Sequence, residues 1–398
     1  MRLLVLTQYF WPESFRINDV VEGLAARGHE ITVYTAMPNY PGGRFFAGYG
    51  FFGPYREKFK GVEVRRVPIL PRGGGGPVRL ALNYLSHAFA ATLLAPRERF
   101  DAILVFEPSP MTIGIPARAL RTLTGAPLVF WVQDLWPESL AATGAVKNRA
   151  VLALVDRLIR WIYRGCDRVL VQSEAFIASV VAHGVPREKI HYLPNSAESF
   201  YKKMVVEEKN DLPEGFRVVY AGNIGAAQDF PTILKAAELL KDDKRIRWII
   251  VGDGRMRGWV ESEVKARGLD NVMLVGQRPP EEMPRYFAQA DVLLATLRRE
   301  PIFAYTIPSK IQSYIACGRP VVAALEGEGG RIIREAGAGW AVSPEDPQAL
   351  AEAVRSASRL SRAELDAMGD RGEAWFRKHF DRDTLLARLE QLLQSART

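Results

Sequence analysis

The chain has 398 residues, of which 48% are hydrophobic and 25% are charged, and it carries a formal net charge of +8 with two cysteines. This length predicts two domains rather than one, and the composition is typical of a globular protein and excludes a disordered or fibrous chain. Two cysteines exclude a disulfide framework, so we expect a reducing cytosol, and five histidines show no metal-ligand spacing, so we expect no metal site. The apolar run at 3–6 is too short for a signal core, so we expect no secretory signal.

Apolar segments alternate with amphipathic segments through the first half of the chain. A helix over 16–27, ended by Gly28, separates the first two strands and gives a βαβ unit. The predicted strands are 3–6, 31–35, 102–106, 128–131 and 169–172. This alternation predicts a doubly wound parallel sheet, which binds ligands beyond the carboxyl ends of its strands.

Two segments of the first half depart from this alternation. Residues 39–55 are rich in Gly, Pro and aromatic residues, which predicts a long surface loop. Residues 80–94 are nearly all apolar, interrupted by Asn83 and His87, and arginines lie on both sides. Such a segment is either a core helix or a helix lying in a membrane interface, and it is too short to span a bilayer.

The positive charge is concentrated in one region. Residues 51–100 contain nine basic and three acidic residues, a net charge of +6. A patch of this size predicts an anionic partner, either a membrane surface or a nucleic acid, although charge that serves solubility alone is the alternative.

A second cycle of strands and helices begins near Phe216, after a polar stretch over 196–215. The predicted strands are 218–222, 248–251, 272–275, 292–295 and 320–323, with a helix over 231–240. We therefore predict a first domain over 1–205, a second over 206–374, and a C-terminal helix over 375–398 that packs back on the first domain.

Residues 301–320 are typical of an anion-binding helix start. Thr306 is a candidate N-cap, Pro308 suits the first turn, and Gly318 suits the position after the last turn. Lys310 falls in the first turn, where a cation is unfavourable beside the positive end of the helix dipole. A bound phosphate would resolve this conflict, and a solvated surface lysine is the alternative.

Several short motifs, in this order and spacing, resemble one known family. They include Gln-Ser-Glu at 172–174, Leu-Pro-Asn at 193–195, Val-Gly-Asp-Gly at 251–254, Ala-Asp-Val at 290–292 and Ala-Cys-Gly-Arg-Pro-Val at 316–321, with further matches at 24–33, 184–190 and 345–350. Together they resemble glycosyltransferase family four. Residues 9–14 and 131–139 are similar to bacterial surface-polysaccharide enzymes, including the O-antigen N-acetylfucosamine-transferase type.

The resemblance implies an α/β protein of the GT-B fold, with two Rossmann-like doubly wound domains facing a central cleft. It implies transfer of a hexosyl or N-acetylhexosaminyl group from a nucleotide sugar, usually UDP-linked, with retention at the anomeric carbon and without a metal or other cofactor. The expected acceptor is a saccharide, lipid-linked through polyprenyl diphosphate. The enzyme is then expected on the cytoplasmic face of the membrane, bound to anionic lipid through the basic 56–99 region and not to nucleic acid.

Without a metal, protein dipoles and cations must stabilise the leaving diphosphate. Lys310 and the helix start would supply them, and the turn from Gly222 to Gly225 would add backbone N–H groups, unless it is a plain strand-to-helix turn. Arg278 corresponds to a segment beside the nucleotide base, although it is equally a surface arginine. The expected residues that bind the donor nucleotide sugar in the second half are Gly222, Asn223, Gly225, Arg278, Tyr305, Thr306, Ile307, Ser309 and Ser313.

Three residues of the first half complete the predicted site. Gln133 and Asp134 close a strand, and Asp134 is the candidate for stabilising positive charge at the anomeric carbon or binding a sugar hydroxyl. Its alternative role is helix capping. Arg16, just after the first strand, is a candidate ligand for the donor phosphate or the acceptor, or an exposed first-turn residue.

The chain also departs from the family pattern. The two glutamates of the family signature correspond to Tyr305 and Ser313, so either Ser313 holds the ribose more weakly or another group holds it. Asn223 and Gln228 replace the usual arginine and lysine. The positive charge is therefore expected from Lys310 and from Arg298 or Arg299.

These departures keep one other function open, a nucleotide-sugar-binding regulator or scaffold without transfer activity. A nucleotide-sugar epimerase of the same fold is a further alternative, but it would need carboxylates and histidines facing the donor sugar, and the missing glutamates count against it. A nucleic-acid binder has no recognition signature in this sequence, and a dinucleotide-dependent dehydrogenase would need a Gly-x-Gly-x-x-Gly after the first strand.

Overall fold

The computed structural model describes residues 1–74, 76–142, 146, 148–205 and 212–397. The chain forms two compact units, the first made of Met1–Asn195 with Asp383–Thr398 and the second of Ser196–Arg382. The predicted boundary between 205 and 206 falls at the edge of 206–211, which lies outside the described residues.

The first unit is a sheet of eight strands covered by helices. Its strands are β1 (Arg2–Leu6), β2 (Glu30–Ala36), β3 (Arg56–Phe59), β4 (Val62–Val67), β5 (Ala102–Glu107), β6 (Leu128–Val132), β7 (Arg168–Val171) and β8 (Ile190–Tyr192). Its helices include α1 (Arg16–Ala26), α2 (Pro77–Leu93), α3 (Gly114–Thr124), α4 (Glu138–Ala142), α5 (Arg149–Arg164) and α6 (Phe176–Ala182).

The strand order in this sheet is β3-β4-β2-β1-β5-β6-β7-β8. All neighbours are parallel except β3 and β4, which form an antiparallel hairpin. The order reverses between β1 and β5, so the sheet is doubly wound, as the alternating pattern predicted. The hairpin and β8 were not predicted, because β3 and β4 carry charged side chains that mask the apolar alternation.

The second unit is a six-stranded parallel sheet. Its strands are β9 (Phe216–Ala221), β10 (Ile246–Val251), β11 (Val272–Gly276), β12 (Val292–Thr296), β13 (Val321–Ala324) and β14 (Gly339–Val342). Its helices are α7 (Phe230–Leu239), α8 (Arg257–Ala266), α9 (Met283–Ala288), α10 (Pro301–Tyr305), α11 (Ser309–Ala316), α12 (Gly327–Ala336), α13 (Pro347–Ser358) and α14 (Arg362–His379).

The order β11-β10-β9-β12-β13-β14 places the reversal between β9 and β12. Apolar side chains of the sheet contribute to two buried clusters of this unit, one around Trp248 and Tyr220 and the other around Tyr314 and Phe287. The loop after β9 therefore opens at the topological switch point, where doubly wound sheets bind ligands.

The predicted single C-terminal helix over 375–398 is wrong, because the segment contains the end of α14 and a separate helix, α15 (Arg382–Gln394). Phe380 lies at the break and is fully buried in the core of the second unit. Leu385, Leu386 and Leu389 of α15 are buried in the core of the first unit. The helix is interrupted because its two halves pack in different hydrophobic cores.

Candidate functional site

Two glycine-containing loops meet at the carboxyl ends of β9 and β10. A Cβ on Gly252 would lie 1.9 Å from the Gly222 carbonyl oxygen, and a Cβ on Gly254 would lie 2.4 Å from the Ile224 carbonyl oxygen. Ile224 donates its N–H to the Asp253 carbonyl at 2.8 Å, which ties the two loops together. Only glycine allows this approach, so the surface at the switch point is largely backbone.

Lys310 reaches this surface from the first turn of α11. Its Nζ lies 3.6 Å from the centroid of the Tyr220 ring and 3.1 Å from the position that a Cβ on Gly222 would take. The nitrogen is buried and has no hydrogen-bond partner among the residues that the structure describes. Burial lowers the pKa of Lys310 to about 7. A ring face is a weak partner for an ammonium group with three N–H donors, so the arrangement favours an anion beside Lys310.

Two tyrosines that the sequence analysis missed hold this region in place. Tyr220 donates its hydroxyl to the Asn223 carbonyl at 2.5 Å. The hydroxyl of Tyr314 accepts from the Ala221 N–H at 3.1 Å and lies 3.3 Å from the Ala221 carbonyl. Both side chains are buried. The available signal was their position, since Tyr220 lies two residues before Gly222 and Tyr314 one helical turn after Lys310.

The predicted capping of α11 is wrong in two respects. Thr306 is the C-cap residue of α10 and donates its hydroxyl to the Ile302 carbonyl at 3.2 Å, so it does not cap α11. Pro308 is the N-cap residue rather than a first-turn residue, and no side chain caps the helix. Gly318 lies just past the last turn with φ +63°, as predicted. The start of α11 therefore has no capping side chain, which suits a ligand-binding helix end.

The structure limits how the other residues of this segment could bind a ligand. Ile307 is buried in the core, so only its backbone can contact a ligand. Ser313 is buried and donates its hydroxyl to the Ser309 carbonyl at 3.2 Å. Tyr305 is an exposed side chain at the end of α10. The ribose and sugar contacts proposed for Ser313, Ser309 and Tyr305 stay predictions.

Asn223 and Gly225 lie together in the turn after β9. The Asn223 amide donates to the Gln228 side-chain oxygen at 3.4 Å, and a Cβ on Gly225 would lie 2.6 Å from the Asn223 amide nitrogen. The Asn223 and Gln228 side chains therefore contact each other. Their contribution to the site is hydrogen bonding, with no charge.

The other candidate cations of the second unit have polar or acidic partners. Arg278 donates to the Tyr286 hydroxyl at 3.1 Å and to the Gln277 carbonyl at 3.0 Å. Arg298 lies 3.7 Å from a Glu345 oxygen. Arg299 lies 3.8 Å from a Glu326 oxygen, so Lys310 is a better candidate for diphosphate charge than either arginine.

In the first unit, Asp134 follows the end of β6. Its carboxylate accepts from the Trp136 indole N–H at 3.2 Å and from the Ser139 hydroxyl. Burial raises the pKa of Asp134, and these two hydrogen bonds lower it. The carboxylate is thus oriented by side chains.

Arg16 is the first residue of α1, and its proposed role as a ligand for the donor phosphate or the acceptor stays a prediction.

Gln133 is held beside Asp134 by the neighbouring strand. Its N–H donates to the Glu107 carbonyl at 3.1 Å, and its side-chain oxygen accepts from the Asn195 amide at 2.7 Å. The Gln133 amide nitrogen is buried without a hydrogen-bond partner among the described residues. A ligand oxygen would satisfy this donor.

Glu107, at the end of β5, is an acidic residue that the sequence analysis missed. Its side chain is fully buried. Burial first, and the nearby Asp134 charge second, raise the pKa of Glu107 well above its ordinary value. The available signal was a carboxyl group that ends an otherwise apolar strand, Ala-Ile-Leu-Val-Phe-Glu at 102–107.

Among the residues that the structure describes, no group of three or more His, Cys, Asp or Glu side chains could hold a metal ion. The expectation of metal-independent chemistry stays a prediction.

The two units match two successive family models. Residues 14–196 match a glycosyl transferase 4-like domain, and residues 215–359 match the glycosyl transferases group 1 domain. The chain is 27% identical over 380 residues to the colanic acid biosynthesis glycosyl transferase WcaI of Escherichia coli, covering 90% of this chain and 93% of the relative. It is 29% identical over 325 residues to the glycosyltransferase WbjE of Pseudomonas aeruginosa, covering 78% of each.

A solved structure has the same fold. The crystal structure of Anabaena HepE in complex with UDP superposes with a TM-score of 0.72 at 17% identity, covering 99% of this chain and 100% of that chain. The predicted α/β class with two Rossmann-like units is confirmed. The chain therefore belongs to glycosyltransferase family four, with the GT-B fold.

Proposed function

We propose that the protein is a retaining, metal-independent glycosyltransferase. It transfers a hexosyl or N-acetylhexosaminyl group from a UDP-sugar to a saccharide carried on polyprenyl diphosphate, in the synthesis of a bacterial surface polysaccharide. Support for UDP comes from the HepE structure, which holds UDP, and support for the pathway class comes from the name of WcaI. The N-acetylfucosamine-transferase type stays a prediction.

One observation carries the proposal, the buried Nζ of Lys310 beside Gly222. When the bond between the anomeric carbon and the phosphate oxygen breaks, negative charge grows on the leaving UDP. Lys310 and the N–H groups at the start of α11 would stabilise that charge. Because the cation sits in a low-dielectric environment, its interaction with the leaving group is stronger than in water.

Retention is explained by attack from the face that the phosphate leaves. The acceptor hydroxyl oxygen forms the new bond to the anomeric carbon, and its proton passes to the departing phosphate oxygen. Asp134 is our candidate for stabilising the positive charge on the anomeric carbon or for binding a sugar hydroxyl. Its hydrogen bonds to Trp136 and Ser139 orient it for either role.

Only some of the basic side chains in the 56–99 region are available for the proposed membrane association. Arg65 pairs with Glu63 at 2.8 Å and with Glu98 at 2.7 Å, and Arg66, fully buried, pairs with Glu57. These two arginines are therefore engaged within the fold. The exposed cations of the region include Arg56, Lys58, Arg79, Arg97 and Arg99, and these would face anionic lipid on the cytoplasmic side.

A thermal-shift panel of UDP, GDP and their sugars tests the nucleotide first, because binding to the native state raises its stability. We expect UDP and a UDP-sugar to raise the melting temperature and GDP to leave it unchanged. No shift with any nucleotide would contradict the proposal. Transfer of a labelled sugar from the UDP-sugar to a lipid-linked acceptor then tests the reaction.

The second candidate is a nucleotide-sugar-binding regulator without transfer activity. Tyr305 and Ser313, in place of the signature glutamates, favour it. It predicts a UDP-sugar thermal shift with neither hydrolysis nor transfer. An epimerase would instead change the sugar of the UDP-sugar without any acceptor, which product analysis would detect.

A further inference from the structure

Helix α2 buries alanines and two polar side chains, and it exposes large apolar side chains. Its inner face carries polar side chains: Asn83 accepts from the Gln8 amide at 2.9 Å and donates to the Leu70 carbonyl at 2.6 Å. His87 is fully buried, and burial lowers its pKa to about 3, so it is neutral. Its outer face is apolar, with Phe89 71% exposed and Val78 72% exposed. The core-helix prediction for 80–94 is therefore correct for one face only.

The exposed apolar residues form one continuous stripe. Its members are Val78, Leu82, Leu85, Phe89 and Leu93, and all five are exposed. At 3.6 residues per turn they fall within an arc of about 80° and extend over about 22 Å of helix. An exposed stripe of large apolar side chains is costly in water and marks an interaction surface.

Charge indicates what covers this stripe, which we call the α2 stripe. Arg79 lies in the first turn of α2, and Arg97 and Arg99 lie just after the helix, and all three are exposed. The helix sequence contains no acidic residue. Basic side chains at both ends of an apolar face complement an anionic lipid surface, where the arginines meet headgroup phosphates and the apolar side chains meet acyl chains.

The helix is not long enough to cross a bilayer. Among the described residues, none of the helices has the length and apolar character needed for a membrane span. A helix of 17 residues with one apolar face instead suits an orientation parallel to the membrane plane.

We infer that α2 docks on an anionic bilayer with the α2 stripe inserted among the acyl chains and Arg79, Arg97 and Arg99 at the headgroups. This inference rests on the proposed function in one respect, since a lipid-linked acceptor requires the enzyme at a membrane. It goes further by replacing a purely electrostatic attachment with insertion of an apolar helix face. Binding then persists at high salt, because salt screens the arginines and not the apolar contact.

Vesicle co-sedimentation of the full chain tests the inference. We compare phosphatidylcholine vesicles with and without phosphatidylglycerol, at low and high salt. The double variant Leu85→Glu/Phe89→Glu should lose about 10²-fold in partitioning, because two inserted side chains are lost. The matched control is Leu239→Glu, an exposed leucine on α7 of the second unit, and it should bind like the wild type.

A fluorescent label gives an independent reading of insertion. The two native cysteines, Cys166 and Cys317, are buried, so a Phe89→Cys variant can be labelled with an environment-sensitive dye. Anionic vesicles should shift its emission to the blue, and the same dye on Leu239→Cys should not respond.

Three outcomes would overturn the inference. They are unchanged vesicle binding by the double variant, complete release of the wild type at high salt, and a wild-type dimer that the double variant converts to monomers with no effect on vesicles. The last would show that a second copy covers the α2 stripe. A UDP thermal shift of the double variant verifies its fold and separates failure of this inference from failure of the proposed function.

Discussion

The loop after β9 in the second unit and the loop after β6 in the first unit both follow parallel strands. The ionisable side chain is basic at the first loop and acidic at the second. Beside the loop after β9 lies Lys310 of α11, with its Nζ over the Tyr220 ring and close to Gly222. The second loop offers Asp134 with Glu107 behind it. Burial lowers the pKa of the lysine and raises the pKa of both acids, so desolvation drives each site toward neutrality. A ligand of opposite charge would restore the charged form at either site.

The largest expected effect comes from removing the cation. Lys310→Ala should lower the turnover of sugar transfer by about 10²-fold, because the leaving diphosphate loses its charge partner. Steady-state kinetics with the UDP-sugar measures this. Lys235→Ala, an exposed lysine on α7, is the control. Unchanged turnover in the folded Lys310→Ala variant would contradict the proposed role of Lys310 in stabilising the leaving diphosphate.

Removing the acid should have a different kinetic signature. Asp134→Asn keeps the shape of the side chain and should lower turnover by about 30-fold, while the affinity for UDP stays within about twofold, because UDP lacks the sugar. Asp270→Asn, at an exposed surface position, is the control for loss of one negative charge. A loss of UDP affinity equal to the loss of turnover would contradict the proposal that Asp134 acts at the sugar and not at the nucleotide.

The pH dependence of binding should follow Lys310. Its pKa in the free protein is about 7, and a bound diphosphate raises it. Below pH 7 the lysine is already charged and UDP affinity should be flat. Above pH 7 binding must take up a proton, so affinity should fall by about tenfold per pH unit until the bound-state pKa is reached. Titration calorimetry measures the slope, and Lys310→Met should show none.

The lowered pKa of Lys310 also makes the free energy of unfolding depend on pH. The unfolded lysine has a pKa of 10.5, above the folded value, so the unfolded state binds more protons between pH 7 and 10.5. Stability should therefore rise with pH in that window, and Lys310 should destabilise most below pH 7. Lys310→Met should raise the melting temperature below pH 7, and this gain should shrink as the pH rises. An equal gain at all pH values would show that Lys310 is not desolvated in the free protein.

The smallest effect is expected at Ser313. Its hydroxyl already donates to the Ser309 carbonyl, so any bond to the ribose uses only its remaining lone pairs. Ser313→Ala should weaken UDP binding by about threefold. A larger loss, measured by the same calorimetry, would show that Ser313 replaces the missing family glutamate more fully than we expect.

Much of the fold follows from local patterns in the sequence. Apolar runs predicted ten strands between 3–6 and 320–323 and missed β3, β4, β8 and β14, and Gly318 marked the end of α11 because few other residues adopt its left-handed φ. Lys310 was recognised because its position conflicts with the helix dipole. These features depend on neighbours within a few residues, which the sequence displays directly.

The features that were missed depend on contacts between distant residues. Tyr220 lies under Lys310 because β9 and the start of α11 meet in space, and no local pattern encodes that. Thr306 was expected to cap α11, but a preceding short helix takes its hydroxyl. The apolar run at 80–94 did not predict which face of α2 would be buried, since that depends on the partners of Asn83.

The proposal that Lys310 binds the diphosphate and Asp134 acts at the sugar is tested most directly by UDP affinity. Calorimetry at neutral pH measures it in the wild type, Lys310→Ala and Asp134→Asn. We expect Lys310→Ala to weaken UDP binding by at least about tenfold, because the variant lacks the ammonium group that we propose binds the diphosphate. We expect Asp134→Asn to leave UDP affinity unchanged. Equal UDP affinity in the wild type and Lys310→Ala would contradict the assignment of the diphosphate to the loop after β9.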